Sequence, residues 1–177
     1  CKRLLDQTPE IPIQEIGGKK QLVPADSWKM ERNIENPQLY AVFPYRLFGD
    51  KKENADVAVN AYQNRLCKND FCWHQDVIDA TLLGLKDDAK RMILKRAAKE
   101  NYSENRFPAF WNSGWDWTPD VDHGGVMQNA LNLMLLQCEG NNIRILPCFP
   151  KNWDVHYKLN APNNTIVECE YKNGLLK

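Results

Sequence analysis

The stretch Phe107-Pro-Ala-Phe-Trp-Asn-Ser-Gly-Trp-Asp-Trp-Thr-Pro-Asp-Val-Asp-His-Gly-Gly125, running into Val126-Met-Gln-Asn-Ala-Leu-Asn-Leu-Met-Leu-Leu-Gln137, decides how the chain is read. Its first part has loop composition, with two prolines, three glycines and three tryptophans, and Asp116, Asp120 and Asp122 spaced among them. Its second part predicts a helix, because Val126, Met127, Ala130, Leu131, Met134 and Leu135 recur at three and four. A short acidic side chain just before such a run reads as an N-cap, which places Asp122 where the helix begins. An Asp there is commonly a cap and a loop Trp is commonly core. The same residues also suit a sugar, whose C–H faces pack on aromatic rings and whose hydroxyls meet carboxylates.

Outward from this stretch, the rest of the chain reads as helix first and strand last. Cys1 to Asp6 has the character of a helix end, stopped by Thr8-Pro-Glu-Ile-Pro12. Gly17-Gly18 marks a turn and Gln21-Leu-Val-Pro24 an extended piece. If Trp28 to Asn36 is helical, Glu31 and Glu35 share a face. Leu39 to Phe43 is an apolar run ended by Pro44. Glu53 to Leu66 carries Val57, Ala58, Ala61, Tyr62 and Arg65 on one stripe. Val77, Ile78, Leu82 and Leu85 set a second helix, and Ala89, Met92, Ile93, Arg96 and Ala97 a third, capped by Asp87-Asp88. The short link at Gly84 predicts that these two pack as an antiparallel hairpin. After Glu139-Gly-Asn-Asn142 the period changes from helical to two. Thr165 to Tyr171 alternates cleanly, and Lys172-Asn-Gly174 is a hairpin turn leading to Leu175-Leu176.

Composition narrows the function classes. The 177 residues suffice for a domain with a sizeable core. Lys and Arg number 23 and Asp and Glu 23, so charge makes no case for nucleic acid or an anionic membrane. No apolar run has the length of a membrane span. The six cysteines do not show paired zinc-ligand spacing, although Cys67, Cys72 and His74 lie close in sequence; they read as partly buried thiols. No metal and no cofactor is implied.

Three segments resemble one enzyme family. Asp122-His-Gly-Gly-Val-Met-Gln-Asn-Ala-Leu-Asn-Leu-Met-Leu-Leu-Gln137 is similar to the stretch that opens on the catalytic Asp in the inverting α-L-fucosidase family of glycoside hydrolases. There an Asp-Gly-Asn-Phe-Gly segment runs into a helix ending Met-Leu-Leu-Gln. Asn36-Pro-Gln-Leu-Tyr-Ala-Val-Phe-Pro44 resembles the family's His-Leu-Tyr-Gly-Leu-Phe-Pro segment, and Ile143-Arg-Ile-Leu-Pro-Cys-Phe-Pro-Lys-Asn-Trp153 its Leu-Leu-Pro-Ala-Leu-Pro-x-x-Trp segment.

The resemblance implies a mainly α fold: part of an (α/α)6 six-hairpin toroid over residues 1–142, then the start of a C-terminal β-domain over 143–177. With about three hairpins' worth of helix, the chain is expected to be the later part of a longer enzyme. Val77, Leu82 and Met92 should then be left uncovered. By resemblance Asp122 is the catalytic base, and a helix start suits its negative charge. The family's general acid, a Glu, matches no segment of this chain and is expected upstream of it.

Trp115, Asp116, Asp120, His123, Glu35 and Gln38 are the candidate substrate-binding residues. Of the three loop tryptophans, Trp115 is taken as the stacking platform. His123 either contacts sugar or fills the turn, and His74 reads as a core histidine. Departures from the family pattern at Asp122-His-Gly-Gly-Val126 and Asn36-Pro-Gln38 fall where substrate is recognised, so fucose specificity is not carried over. The implied partner is an oligo- or polysaccharide, with the missing part of the enzyme or a second copy as a further partner, and the implied location is periplasmic or extracellular. A non-catalytic carbohydrate-binding or structural remnant is the alternative. A sugar epimerase or lyase with His123 or Tyr40 as base is a third reading.

Overall fold

The computed structural model describes residues 2–29, 34–68, 72–98 and 121–177. The chain divides into two compact units, residues 1–68 and 69–177.

In the first unit a short helix α1 (Lys2–Leu5) precedes an antiparallel hairpin of β1 (Ile13–Ile16) and β2 (Lys19–Leu22). Gly17 and Gly18 form its turn at φ +60° and +75°, a backbone region open to glycine at little cost. A single-turn 3-10 helix (Pro37–Ala41) follows, then α2 (Ala55–Asn64). The stripe predicted for α2 is the buried one: Val57, Ala58, Ala61 and Tyr62 face inward, with Leu22 and Val23 also in the core. Polar ties fix this packing, with Asn60 Nδ2 donating to the Lys20 carbonyl at 3.0 Å and Asn64 Nδ2 to Gln21 Oε1 at 2.7 Å. The Arg65 guanidinium lies 3.7 Å from the centre of the Tyr62 ring.

The second unit is built on three mutually packed helices, α3 (Asp76–Leu82), α4 (Lys86–Ala97) and α5 (Val121–Leu135). The link between α3 and α4 turns at Gly84, φ +73°, where the hairpin was expected. Val77, Leu82 and Met92, expected to be uncovered, are buried at 0, 6 and 1 % exposure. They join Ile78, Ile93, Ala130, Leu133 and Met134 in the core of this unit. A side-chain stripe on each helix thus finds its cover within residues 69–177.

Two strand systems follow. Strands β3 (Leu136–Glu139) and β4 (Asn142–Ile145) form a hairpin around Gly140, φ +56°. Strands β5 (Val155–Ala161), β6 (Thr165–Lys172) and β7 (Leu175–Leu176) form an antiparallel meander in that order. The alternation of β6 is realised: Cys169 is buried opposite Tyr157, while Glu168 faces solvent between His156 and Lys158. Hydrogen bonds from Lys158 and then His156 hold the Glu168 carboxyl below its ordinary range. Tyr157 ties sheet to helix, its hydroxyl donating to the Leu135 carbonyl at 3.1 Å.

These strands overturn the expectation of a mainly α fold and with it the toroid. Among the described residues seven strands in three antiparallel sheets stand beside the helices, a mixed α/β arrangement. The physical reason is plain at two places. The central helix stops at Leu135 because Leu136 onward pairs with Asn142–Ile145, and the apolar period alone cannot show that partner. At the other end of the chain Ile13–Leu22, read only as a turn and an extended piece, closes into a hairpin that packs on α2.

Candidate functional site

Of the residues singled out by sequence, Trp115, Asp116 and Asp120 lie outside the described residues. Asp122 and His123 belong to the second unit, and Glu35 and Gln38 to the first.

Asp122 is exposed and lies in the first turn of α5 (Val121–Leu135). Successive helical residues are about 100° apart around the axis, and Asp122 and His123 lie on different faces of α5. His123 is buried at 0 % exposure, and both ring nitrogens lie against Arg96: Nδ1 is 3.4 Å from Arg96 Nη1, and Nε2 is 3.3 Å from the Arg96 carbonyl. A neutral imidazole with its proton on Nε2 satisfies both contacts, donating to the carbonyl and accepting from the guanidinium. His123 thus packs against the end of α4 through both ring nitrogens.

Arg96 is the centre of this arrangement, and sequence reasoning gave it no role. It is 1 % exposed and occupies the last turn of α4. Nη1 donates to the Cys72 carbonyl at 3.1 Å and to the His123 carbonyl at 3.2 Å, and Nη2 donates to the His74 carbonyl at 2.8 Å. One guanidinium thus joins the end of α4, the segment 72–74 and the start of α5. A planar fork of donors suits this task better than a lysine ammonium would. His74, buried and stacked on Trp73 with ring centres 4.2 Å apart, serves as the core histidine the sequence suggested. Buried Asp76 and Asp79 on α3 complete an unusually polar interior for a helix pair. The available signal was a charged side chain on an otherwise apolar helical stripe, since Arg96 falls on the same face as Ala89, Met92 and Ile93.

In the first unit Glu35 accepts a hydrogen bond of 2.8 Å from the Tyr40 hydroxyl. Gln38 lies between them in sequence, on the 3-10 helix, and is buried at 8 % exposure. Its carbonyl Oε1 has no hydrogen-bond partner among the described residues, which costs a folded protein free energy unless water or a ligand meets it. Asn36 anchors the segment, its Nδ2 donating to the Cys67 carbonyl at 2.8 Å. Glu35 and Tyr40 are thus joined by a hydrogen bond, and Gln38, two residues before Tyr40, has one buried acceptor to offer. Gln38→Met, which removes that acceptor at nearly constant volume, is expected to raise stability by about 1 kcal/mol. The same change should weaken saccharide binding if the amide meets substrate. Denaturant unfolding and an equilibrium titration with oligosaccharide check the two halves separately.

Cys67, Cys72, Cys138, Cys148 and Cys169 are thiols, the second, fourth and fifth of them buried. Among the described residues no group of three or more His, Cys, Asp or Glu side chains is arranged to hold a metal ion. No helix among them is long and apolar enough to cross a membrane. No protein-family model matches the chain, and no curated protein matches it.

Proposed function

We propose that the chain belongs to a glycoside hydrolase in which Asp122 is the general base that activates water for an inverting displacement. One observation carries the reading. The exposed carboxylate of Asp122 sits in the first turn of α5, and the buried Arg96–His123 contact holds that turn in place. A base must be reachable by water and substrate yet fixed in direction, since a small misplacement of a reacting group costs rate steeply. The resemblance of Asp122–Gln137 to a stretch that opens on a catalytic Asp supports the same residue. An inverting enzyme also needs a carboxylic acid roughly 6.5–9.5 Å from the base. That acid is not assigned to any residue of this chain.

The test is turnover of a panel of nitrophenyl glycosides, with the anomer of the first product read by NMR before mutarotation. Hydrolysis with inversion supports the proposal. Hydrolysis with retention overturns the inverting displacement and Asp122 as the base of a single-step attack by water. Saccharide binding without turnover on any member of the panel favours the non-catalytic carbohydrate-binding reading instead.

A further inference from the structure

An open cleft of about 710 Å³ lies in the second unit, away from Asp122 in sequence, between the loop that precedes β5 and the β6–β7 turn. It is lined by Lys151, Asn152, Trp153, Asp154, Asn173 and Gly174. A smaller hollow of about 320 Å³ shares Asp154 with it and continues past Tyr171 and Lys172. We propose that this cleft is a second carbohydrate-binding site, one that holds a neutral oligosaccharide against Trp153 without cleaving it.

The lining selects the ligand class. Lys151 and Asp154 offset one another in the lining, and Lys90 at the rim is engaged by Asn152, so charge alone does not select an anion or a cation. Asn152 and Asn173 each carry both donors and acceptors, the pairing that hydroxyl groups need. The half-buried indole of Trp153 adds an apolar wall with a donor at its edge, suited to the C–H face of a sugar ring. A purely apolar ligand would leave these amides and charges desolvated and unpaired.

The cleft is also preorganised. Phe149, 7 % exposed, meets the Trp153 ring edge-on with centres 5.9 Å apart, and meets Tyr171 likewise at 6.2 Å. The Tyr171 hydroxyl donates to the Lys151 carbonyl at 3.2 Å, and the Trp153 backbone N–H donates to the Pro150 carbonyl at 3.1 Å. From the opposite wall the Asn173 backbone N–H donates to Asp154 Oδ1 at 2.9 Å, joining the two loops. Lys90 of α4 reaches Asn152 Oδ1 at 3.2 Å and lies 5.8 Å from the Trp153 ring centre, which fixes the rim to the helices. A platform held from three sides loses little freedom when a ligand binds.

The experiment is an amide NMR titration of the isotopically labelled chain with cellohexaose, xylohexaose and mannohexaose, and with hexagalacturonate as the anionic comparison. At least one neutral probe is expected to shift the Trp153 indole N–H and the Asn152 and Asn173 side-chain amides together. Trp153→Ala should weaken that binding about tenfold or more, as expected for losing a large aromatic contact. Asn173→Gly keeps the positive φ of the turn, 53°, at no steric cost while deleting the amide, and should weaken binding about threefold with the melting temperature unchanged. It carries the test if Trp153→Ala fails to fold. Shifts confined to residues around Asp122, shifts with hexagalacturonate alone, or no shift at the cleft with any neutral probe would each overturn the proposal. The readout is binding, so it stands or falls apart from glycosidase activity. Conversely, Trp153→Ala should leave hydrolysis of a small nitrophenyl glycoside unchanged.

Discussion

Arg96→Met should destabilise the chain by about 3–5 kcal/mol, because it takes the guanidinium donors away from three carbonyl groups and one imidazole nitrogen in a buried setting. Those acceptors are the carbonyls of Cys72, His74 and His123 and Nδ1 of His123, all served by one guanidinium that is 1 % exposed. Methionine fills much of the volume, so the loss is chiefly polar and not a cavity. Set against a total stability of about 5–15 kcal/mol, this is a large fraction. Arg96→Lys should fall between, since an ammonium cannot present donors in the same plane. Arg91→Met is the control: Arg91 pairs with Asp88 at 3.1 Å, but its side chain is 58 % exposed and the pair is worth little. Urea denaturation followed by circular dichroism would measure all three. If Arg96→Met costs no more than Arg91→Met, the clamp does not hold the start of α5.

His123 completes the same buried contact from α5. His123→Ala removes one partner of Arg96 while the three carbonyls keep theirs, so its cost should be the smaller of the two. The double variant should then lose less than the sum of the singles, because the contact between them is counted once. Strict additivity would mean that the imidazole and the guanidinium contribute independently despite their 3.4 Å approach.

What could be read from the chain follows from where each signal is local. The β6–β7 hairpin was legible because Thr165 to Tyr171 alternates strictly and Asn173-Gly174 can adopt positive φ at both positions, as it does at 53° and 79°. Helices α2 and α4 were legible because their apolar stripes are complete over ten and twelve residues. Strand β3 was hidden, since Leu136 continues the helical period and only pairing with β4 across Gly140 makes it a strand. Strands β1 and β2 were hidden for the opposite reason: each is four residues long and six of their eight side chains lie outside the core, so little apolar pattern is required of them. Strand β5 carries an alternation of Val155, Tyr157 and Leu159 against His156 and Lys158, a period-two signal present in the sequence. The implied toroid failed because a resemblance carried by short motifs fixes positions near those motifs and not how intervening segments pair. At the candidate site, Asp122 could be singled out by the resemblance of Asp122–Gln137 together with its place near a helix start. Its support could not, because Cys72, His74, Arg96 and His123 meet only through tertiary packing.

Asp122→Asn should slow hydrolysis by about 10²–10⁴-fold, the usual scale for losing a general base. The substitution keeps the size of the side chain and deletes only its ability to take a proton from water. Stability should change by less than about 0.5 kcal/mol, because Asp122 is exposed and the turn that carries it is held by His123 and Arg96. This separation is what makes the variant informative: an exposed residue can lose its chemistry without loosening the helix. Asp120→Asn is the comparison, expected to have the smaller effect if that residue only binds hydroxyls. Turnover on a nitrophenyl glycoside and melting temperature are to be measured on the same samples. A large rate loss at unchanged melting temperature assigns the base. Normal turnover in Asp122→Asn removes it from the mechanism. A melting temperature far below that of the parent would show that the first turn of α5 depends on this carboxylate, against the placement of its support in the Arg96–His123 contact.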